Sequence, residues 1–264
     1  MHALAIFLTG IVLAVAAYGD EIEVDVELFL AVDVSRSMTA EERAIQRRGY
    51  AAALTSPDVI DAIRNGMLGR IAVTYVEWAG TRAQRVVVPW RELSDIEQAE
   101  EIAGIIVASG GGGLQRTSIS GAIDFAMSAF EDNGFHGLRR VIDISGDGPN
   151  NQGAPVVEAR DAALAAGFTI NGLPLMTEDA LSRFWGIDDL DVYYTRCVTG
   201  GPRAVVIAVL YWEDCAPAIK RKLILEISRA PARVVPVQYQ SRPPYDCLIG
   251  EKIYERNRRY FEEP

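Results

Sequence analysis

Apolar residues recur along this chain at two different periods, and each change of period marks an element boundary. Residues 26–32 (VELFLAV) are nearly all apolar, the pattern of a strand buried on both faces. Residues 39–54 follow a helical period with Ile45, Tyr50 and Leu54 as apolar positions, and Thr39 with Glu42 makes a capping box at the start. Pro57 opens a shorter helix that ends near Gly66. Residues 71–78 (IAVTYVEW) and 85–90 (RVVVPW) read as strands, and the short stretch between them predicts an antiparallel hairpin. Ser94 caps a helix that runs to about Ala108, and Gly110 to Gly113 break the pattern. Residues 117–130 are amphipathic, with Ile119, Ala122, Ile123, Ala126 and Phe130 on one face. A strand at 140–145, a helix at 154–166 and a strand at 168–173 follow. Residues 204–210 (AVVIAVL) predict another buried strand, and 216–227 a helix. Past Pro231 the tail is proline-rich, then helical again from about Leu248. Strands alternating with helices imply a mostly parallel sheet covered on both faces.

The first 19 residues stand apart. No Asp, Glu, Lys or Arg occurs from Ala3 to Gly19, and the apolar run ends in small residues before Asp20. That is the pattern of a signal peptide over residues 1–19, with Ala17 and Gly19 before the cut. No Lys or Arg precedes the run, so an uncleaved anchor is the alternative, although about 17 residues are short for a span. The expected location is periplasmic or secreted, with no membrane span after cleavage. The whole chain has the balance of a soluble globular protein, 49% hydrophobic and 23% charged. Its formal net charge is −10, which repels phosphate backbones and excludes nucleic acid as a first choice of partner. Cations are favoured instead.

Candidate chemistry lies at strand ends. The first strand opens into Asp33-Val34-Ser35-Arg36-Ser37-Met38, and the alternation of Asp33, Ser35 and Ser37 lets three oxygens converge. A carboxylate with two hydroxyls suits Mg²⁺, Mn²⁺ or Ca²⁺. Thr117 follows the glycine break, and Asp147 follows the strand at 140–145. Tracing the direction of each element brings Asp33, Ser35, Ser37, Thr117 and Asp147 to the same face, the carboxyl end of the parallel strands, where open α/β sheets bind ligands. The plain alternative is that the serines cap the next helix and Asp147 is a turn residue. No Lys-Ser/Thr follows the four glycines at the spacing of a phosphate-binding loop, so they read as slack that lets Thr117 reach the site.

The set Asp33-x-Ser35-x-Ser37, Thr117 and Asp147 resembles the metal-ion-dependent adhesion site of von Willebrand factor A domains, over roughly residues 25–230. The segments DVSRSM, YVEWAG, VVPW, IDISGDGPNNQG, INGLPL, CVTGGP and RKLILEI resemble the exported bacterial domain-of-unknown-function family 1194. The broader resemblance implies one divalent cation held directly by Ser35, Ser37 and Thr117. Asp33 and Asp147 would act directly or through water, and one coordination place would remain for an acidic residue of a protein partner. Before the second aspartate the usual residue is Thr or another small one, and here it is Gly146. The implied architecture is Rossmann-like and doubly wound: a six-stranded, mostly parallel sheet of order 3-2-1-4-5-6, strand 3 an antiparallel edge. It would occupy residues 20–230, with a C-terminal extension at 231–264 packed on it.

Around the site, Glu77, Arg36 and Asn150 (with Asn151) are candidate neighbours of the cation; a hairpin end is the readier explanation of Glu77, and a solvated charge and turn formation are the plain alternatives for the others. Asp143 sits mid-strand and reads as the buried partner of an Arg. With Cys197, Cys215 and Cys247 and no CxxC spacing, a zinc site is disfavoured. The strand at 204–210 spans about 23 Å and separates Cys197 from Cys215. The expectation is therefore a Cys197–Cys247 disulfide at the end of the sheet opposite the site, with Cys215 free; three reduced cysteines is the alternative. The function expected is metal-dependent binding of a protein partner. A Mg²⁺-dependent hydrolase using Glu77 as base, or an exported structural domain with a vestigial site, competes with it.

Overall fold

The computed structural model describes residues 21–177, 186–228 and 244–262. The expected signal segment, residues 1–19, lies outside the described residues, as does the proline-rich stretch 231–243. Seven strands are present among the described residues: β1 (Ile22–Val24), β2 (Glu27–Asp33), β3 (Ile71–Trp78), β4 (Gln84–Leu93), β5 (Phe135–Gly137), β6 (Arg140–Gly146) and β7 (Thr169–Pro174). The α-helices are α1 (Ala40–Leu54), α2 (Pro57–Arg64), α3 (Ile96–Ala108), α4 (Ile119–Ala129), α5 (Val156–Ala165), α6 (Leu190–Tyr193), α7 (Cys215–Ile227) and α8 (Ile249–Glu262).

The main sheet has the order β4-β3-β2-β6-β7, with β4 antiparallel and the other pairs parallel. This is the expected order for the first five strands. The sixth is a correction. Residues 204–210 lie parallel to β7, in the expected place, but touch it only through bridges at Gly172↔Val206 and Leu175↔Val209. Pro174 sits between those bridges and has no N–H to give, so the ladder cannot run on. The segment is half-buried, because it forms the edge of the sheet. A small parallel pair, β1 with β5, was not legible in the pattern, since each strand has only three residues.

Alternation along β2 builds two cores. Leu28, Leu30 and Val32 face the layer of α1, α2, α3 and α7, while Phe29 and Ala31 face α4 and α5. Every residue of β2 is buried, which explains its unbroken apolar run. The capping box of α1 forms as expected: Glu42 N–H donates to Thr39 Oγ1 (3.2 Å) and Thr39 N–H to Glu42 Oε2 (2.7 Å). At α3 the cap is Asp95 rather than Ser94, its Oδ1 accepting from Gln98 N–H at 2.9 Å.

A buried ionic trio ties α7 to the sheet. Lys222 Nζ pairs with Asp143 of β6 and with Glu226 Oε1 (2.6 Å), and all three residues are at most 3% exposed. Asp143 does have a buried cationic partner, but it is Lys222 and not an Arg. Two carboxylates share one ammonium, so one of them holds a proton readily. Burial, and then the charge of Asp143, push Glu226 up to about 7. Between pH 4.5 and 7 the folded state therefore keeps a proton that the unfolded chain has lost, and stability falls as pH rises. The expected size from Glu226 is on the order of 3 kcal/mol. Urea unfolding at pH 5 and pH 7.5 checks it: the difference between the two should shrink by that amount in Glu226→Gln.

Candidate functional site

At the carboxyl end of β2 the chain leaves the sheet and folds back on its own aspartate. Ser35 N–H donates to Asp33 Oδ1 at 2.6 Å. The hydroxyls of Ser35 and Ser37 lie 2.9 Å apart, and Ser37 Oγ donates to Asp147 Oδ1 at 2.8 Å. Asp147 follows β6, the strand next to β2, so neighbouring strand ends deliver both carboxylates. Three of the five expected oxygen donors thus form one hydrogen-bonded chain, and Asp33 joins it through the backbone N–H of Ser35.

Thr117 arrives by way of the glycine loop. Gly111, Gly112 and Gly113 all take positive φ (96°, 108° and 71°), a run that side-chain-bearing residues do not sustain. Gly113 N–H then donates to Val34 O (2.8 Å) and Arg36 N–H to Leu114 O (2.7 Å), which zips the loop to the Asp33–Ser37 segment. Helix α4 is capped by Ser118, so Thr117 stays outside the helix. Its backbone is held by Asn151, whose Oδ1 accepts from Thr117 N–H at 2.9 Å and whose N–H donates to Thr117 O at 2.8 Å. Ser35, Ser37 and Thr117 line one open cleft of about 350 Å³, together with Arg36, Gln115, Arg116, Asn151 and Tyr254.

The floor of the cleft is acidic and buried. Asp33 is fully buried, and its Oδ2 has no hydrogen-bond partner among the described residues. Burial, and then the charge of Asp147, raise its carboxyl well above the ordinary range. Gln46 of α1 supports the floor from below, donating to Asp33 O and accepting from Ser145 Oγ, both at 3.0 Å. Gly146 is explained by close approach, for a Cβ there would lie 3.0 Å from both Asp33 Oδ2 and the Tyr194 hydroxyl oxygen. The described residues contain no cluster of three or more His, Cys, Asp or Glu side chains suited to a metal. A cation at this cleft would be met by three hydroxyls and two carboxylates, a hard-oxygen set.

The expected neighbours divide. Arg36 lines the cleft and is exposed. Asn150 is buried beneath it, with its side chain on Ser120 N–H, Ala154 O and Glu251 Oε1, while the adjacent Asn151 reaches the rim. Glu77 differs from expectation: its Oε1 accepts from Arg47 Nε (2.7 Å) and its Oε2 pairs with Arg85. Those arginines in turn hold the carbonyls of Gly111 and Gly110. Glu77 therefore anchors the glycine loop through two guanidinium groups. Glu77→Gln should cost about 2 kcal/mol, because it turns the charge-assisted hydrogen bond from the buried Arg47 into one to a neutral amide oxygen. Hydrogen exchange of residues 109–116 should accelerate with it, and unchanged exchange would refute the anchoring.

Pattern reading missed Gln46, Tyr194, Arg116 and Tyr254. Only Gln46 left a signal, a polar residue four before the buried Tyr50 on the inner side of α1.

The disulfide joins Cys197 to Cys247 as expected, with Cα atoms 5.6 Å apart, and Cys215 is free and buried. Its placement is a correction. Cys197 follows Tyr193, whose hydroxyl accepts from Asn150 N–H at 3.1 Å, so the bridge draws the tail toward the cleft and not to the opposite end. Gly250 lies so close to Asn150 that a Cβ would overlap its carbonyl oxygen. Tyr254 of α8 then reaches the cleft wall.

Residues 23–231 match the family described as "Protein of unknown function (DUF1194)". The chain belongs to that family. No curated protein matches this DUF1194 chain. Among solved structures it is similar to proximal thread matrix protein 1 from the mussel byssus (TM-score 0.58, 14% identity, 79% of this chain and 50% of that one). A further structure of that mussel protein is described with a zinc-occupied MIDAS motif (TM-score 0.53, 14% identity, 79% and 49% covered). A von Willebrand factor type A protein from Catenulispora acidiphila is also similar (TM-score 0.54, 13% identity, 76% and 42% covered). The DUF1194 chain thus has a von Willebrand factor A fold, and it spans about half the length of the mussel protein it matches.

Proposed function

We propose that this protein is an exported binding module that uses one divalent cation, Mg²⁺ or else Mn²⁺ or Ca²⁺, to capture an acidic residue of a partner protein. Ser35, Ser37 and Thr117 would hold the ion directly, with Asp33 and Asp147 direct or through water. The observation that carries this reading is the hydrogen-bonded chain Ser35–Ser37–Asp147 above the unsatisfied Asp33 Oδ2. Two buried carboxylates side by side favour a positive charge between them. Hydroxyl donors leave that charge incompletely neutralised, so a carboxylate from outside completes the shell. Glu77, the side chain best placed by sequence to act as a base, is engaged by two arginines, which favours recognition over hydrolysis. The disulfide supports an oxidising compartment, and no helix among the described residues is long and apolar enough to cross a membrane.

Titration calorimetry with Mg²⁺, Mn²⁺ and Ca²⁺ tests the site. Wild type should bind one ion, and Ser35→Ala and Asp33→Ala should weaken that binding by on the order of 100-fold while keeping the native circular dichroism. Capture of a cell-envelope partner should vanish with chelator and in Ser35→Ala. Absence of divalent-ion binding in the folded wild type sinks the proposal.

A further inference from the structure

The cleft has a second wall that the metal reading does not use. Arg116 stands next to Thr117 with φ at +77°, a left-handed conformation that costs energy in a residue with a side chain. Its guanidinium lies over the ring of Tyr254, 3.5 Å from the centroid. Tyr254 belongs to α8, which the Cys197–Cys247 bridge ties down near the site. Arg36 lines the same cleft from the other side. Among the described residues no carboxylate pairs with Arg116 or Arg36, although the chain carries 36 acidic residues against 26 basic ones. Positive charge is kept unpaired here, on a protein whose overall charge is negative.

We infer that the cleft is bipartite and takes a peptide with two neighbouring carboxylates, one for the cation at Ser35, Ser37 and Thr117 and one for the guanidinium of Arg116. The inference rests on the metal-dependent reading above and narrows its partner to a doubly acidic segment. Tyr254 is a positioning residue: its ring backs the guanidinium of Arg116 where both line the cleft. The guanidinium donates charge-assisted hydrogen bonds in a fixed fork, which suits a carboxylate better than an ammonium would. The C-terminal helix thereby becomes part of the recognition surface.

Titration calorimetry on the full chain with Mg²⁺ present tests this. The probes are capped peptides with two aspartates separated by zero, one or two alanines, and matching peptides with a single aspartate. At least one two-aspartate peptide should bind about tenfold tighter than its single-aspartate control. Arg116→Ala should bring that ratio to about one, and Tyr254→Ala should reduce it while Tyr254→Phe preserves it. A ratio of one in wild type, or a ratio unchanged by Arg116→Ala, overturns the second contact while leaving the metal reading standing. Failure of every peptide to bind the Mg²⁺-loaded wild type sinks both.

Discussion

Lys222→Met is expected to lower the unfolding free energy by about 3–5 kcal/mol at pH 7.5, the cost of leaving buried charge without its partner. Lys222 is 1% exposed and stands between Asp143 and Glu226, which are 1% and 3% exposed. Without the ammonium, neither carboxylate has a counter-charge. The Asn171 amide still donates to Glu226 Oε1 at 2.8 Å, which is far too little to replace it. Both carboxyls would then take up protons, so the loss should shrink as pH falls toward 5. Urea unfolding followed by circular dichroism measures this. The triple variant Lys222→Met, Asp143→Leu, Glu226→Leu should regain most of the loss, since apolar side chains of similar volume need no partner. A single variant within about 1 kcal/mol of wild type at pH 7.5 would show that water reaches the trio.

Breaking the disulfide is the second large effect. Cys197 and Cys247 close a loop with a sequence separation of 50 residues. On the chain-entropy relation, opening a loop of that length costs about 4 kcal/mol. The loop encloses α7, whose Ile219, Leu223 and Ile227 are buried in the larger core, so the constraint acts on the whole domain and not on the tail alone. Cys247→Ser should therefore lower the urea midpoint of the domain. It should also raise hydrogen exchange in residues 249–259, because the bridge pins the chain two residues before α8, whose Gly250 meets Asn150, whose Glu251 meets the Asn150 amide and whose Tyr254 lies under Arg116. A loss below about 1 kcal/mol would mean that the unfolded chain is already compact around this loop.

Both effects belong to interactions between distant segments, and that sets the limit of what pattern could reveal. Asp143 announces a buried charge because it interrupts an apolar strand, but nothing local says that its partner is a lysine 79 positions on, since 222 − 143 = 79. Asn150 and Asn151 look alike in sequence; the turn between β6 and α5 sends one inward to Ser120 and Glu251 and the other to Thr117. Glu77 ends a strand that leads to the site face, yet two arginines from different elements occupy both its oxygens. The cysteine pairing came out as expected although its premise did not hold: the bridge lies toward the cleft, and Cys215 is kept from Cys197 because the two are buried in different cores.

The order of the five regular strands of the main sheet followed from the resemblance to von Willebrand factor A domains; by itself the sequence determined the alternation of strands and helices and the convergence of Asp33, Ser35, Ser37 and Asp147. These depend on side-chain period and chain direction, which are local quantities. Only the tertiary structure decided that Pro174 breaks the sixth strand, that Glu77 serves the glycine loop, and that Arg116 and Tyr254 wall the cleft. Those outcomes depend on which surfaces meet when the helices close over the sheet, and close packing settles that through contacts whose members lie far apart along the chain.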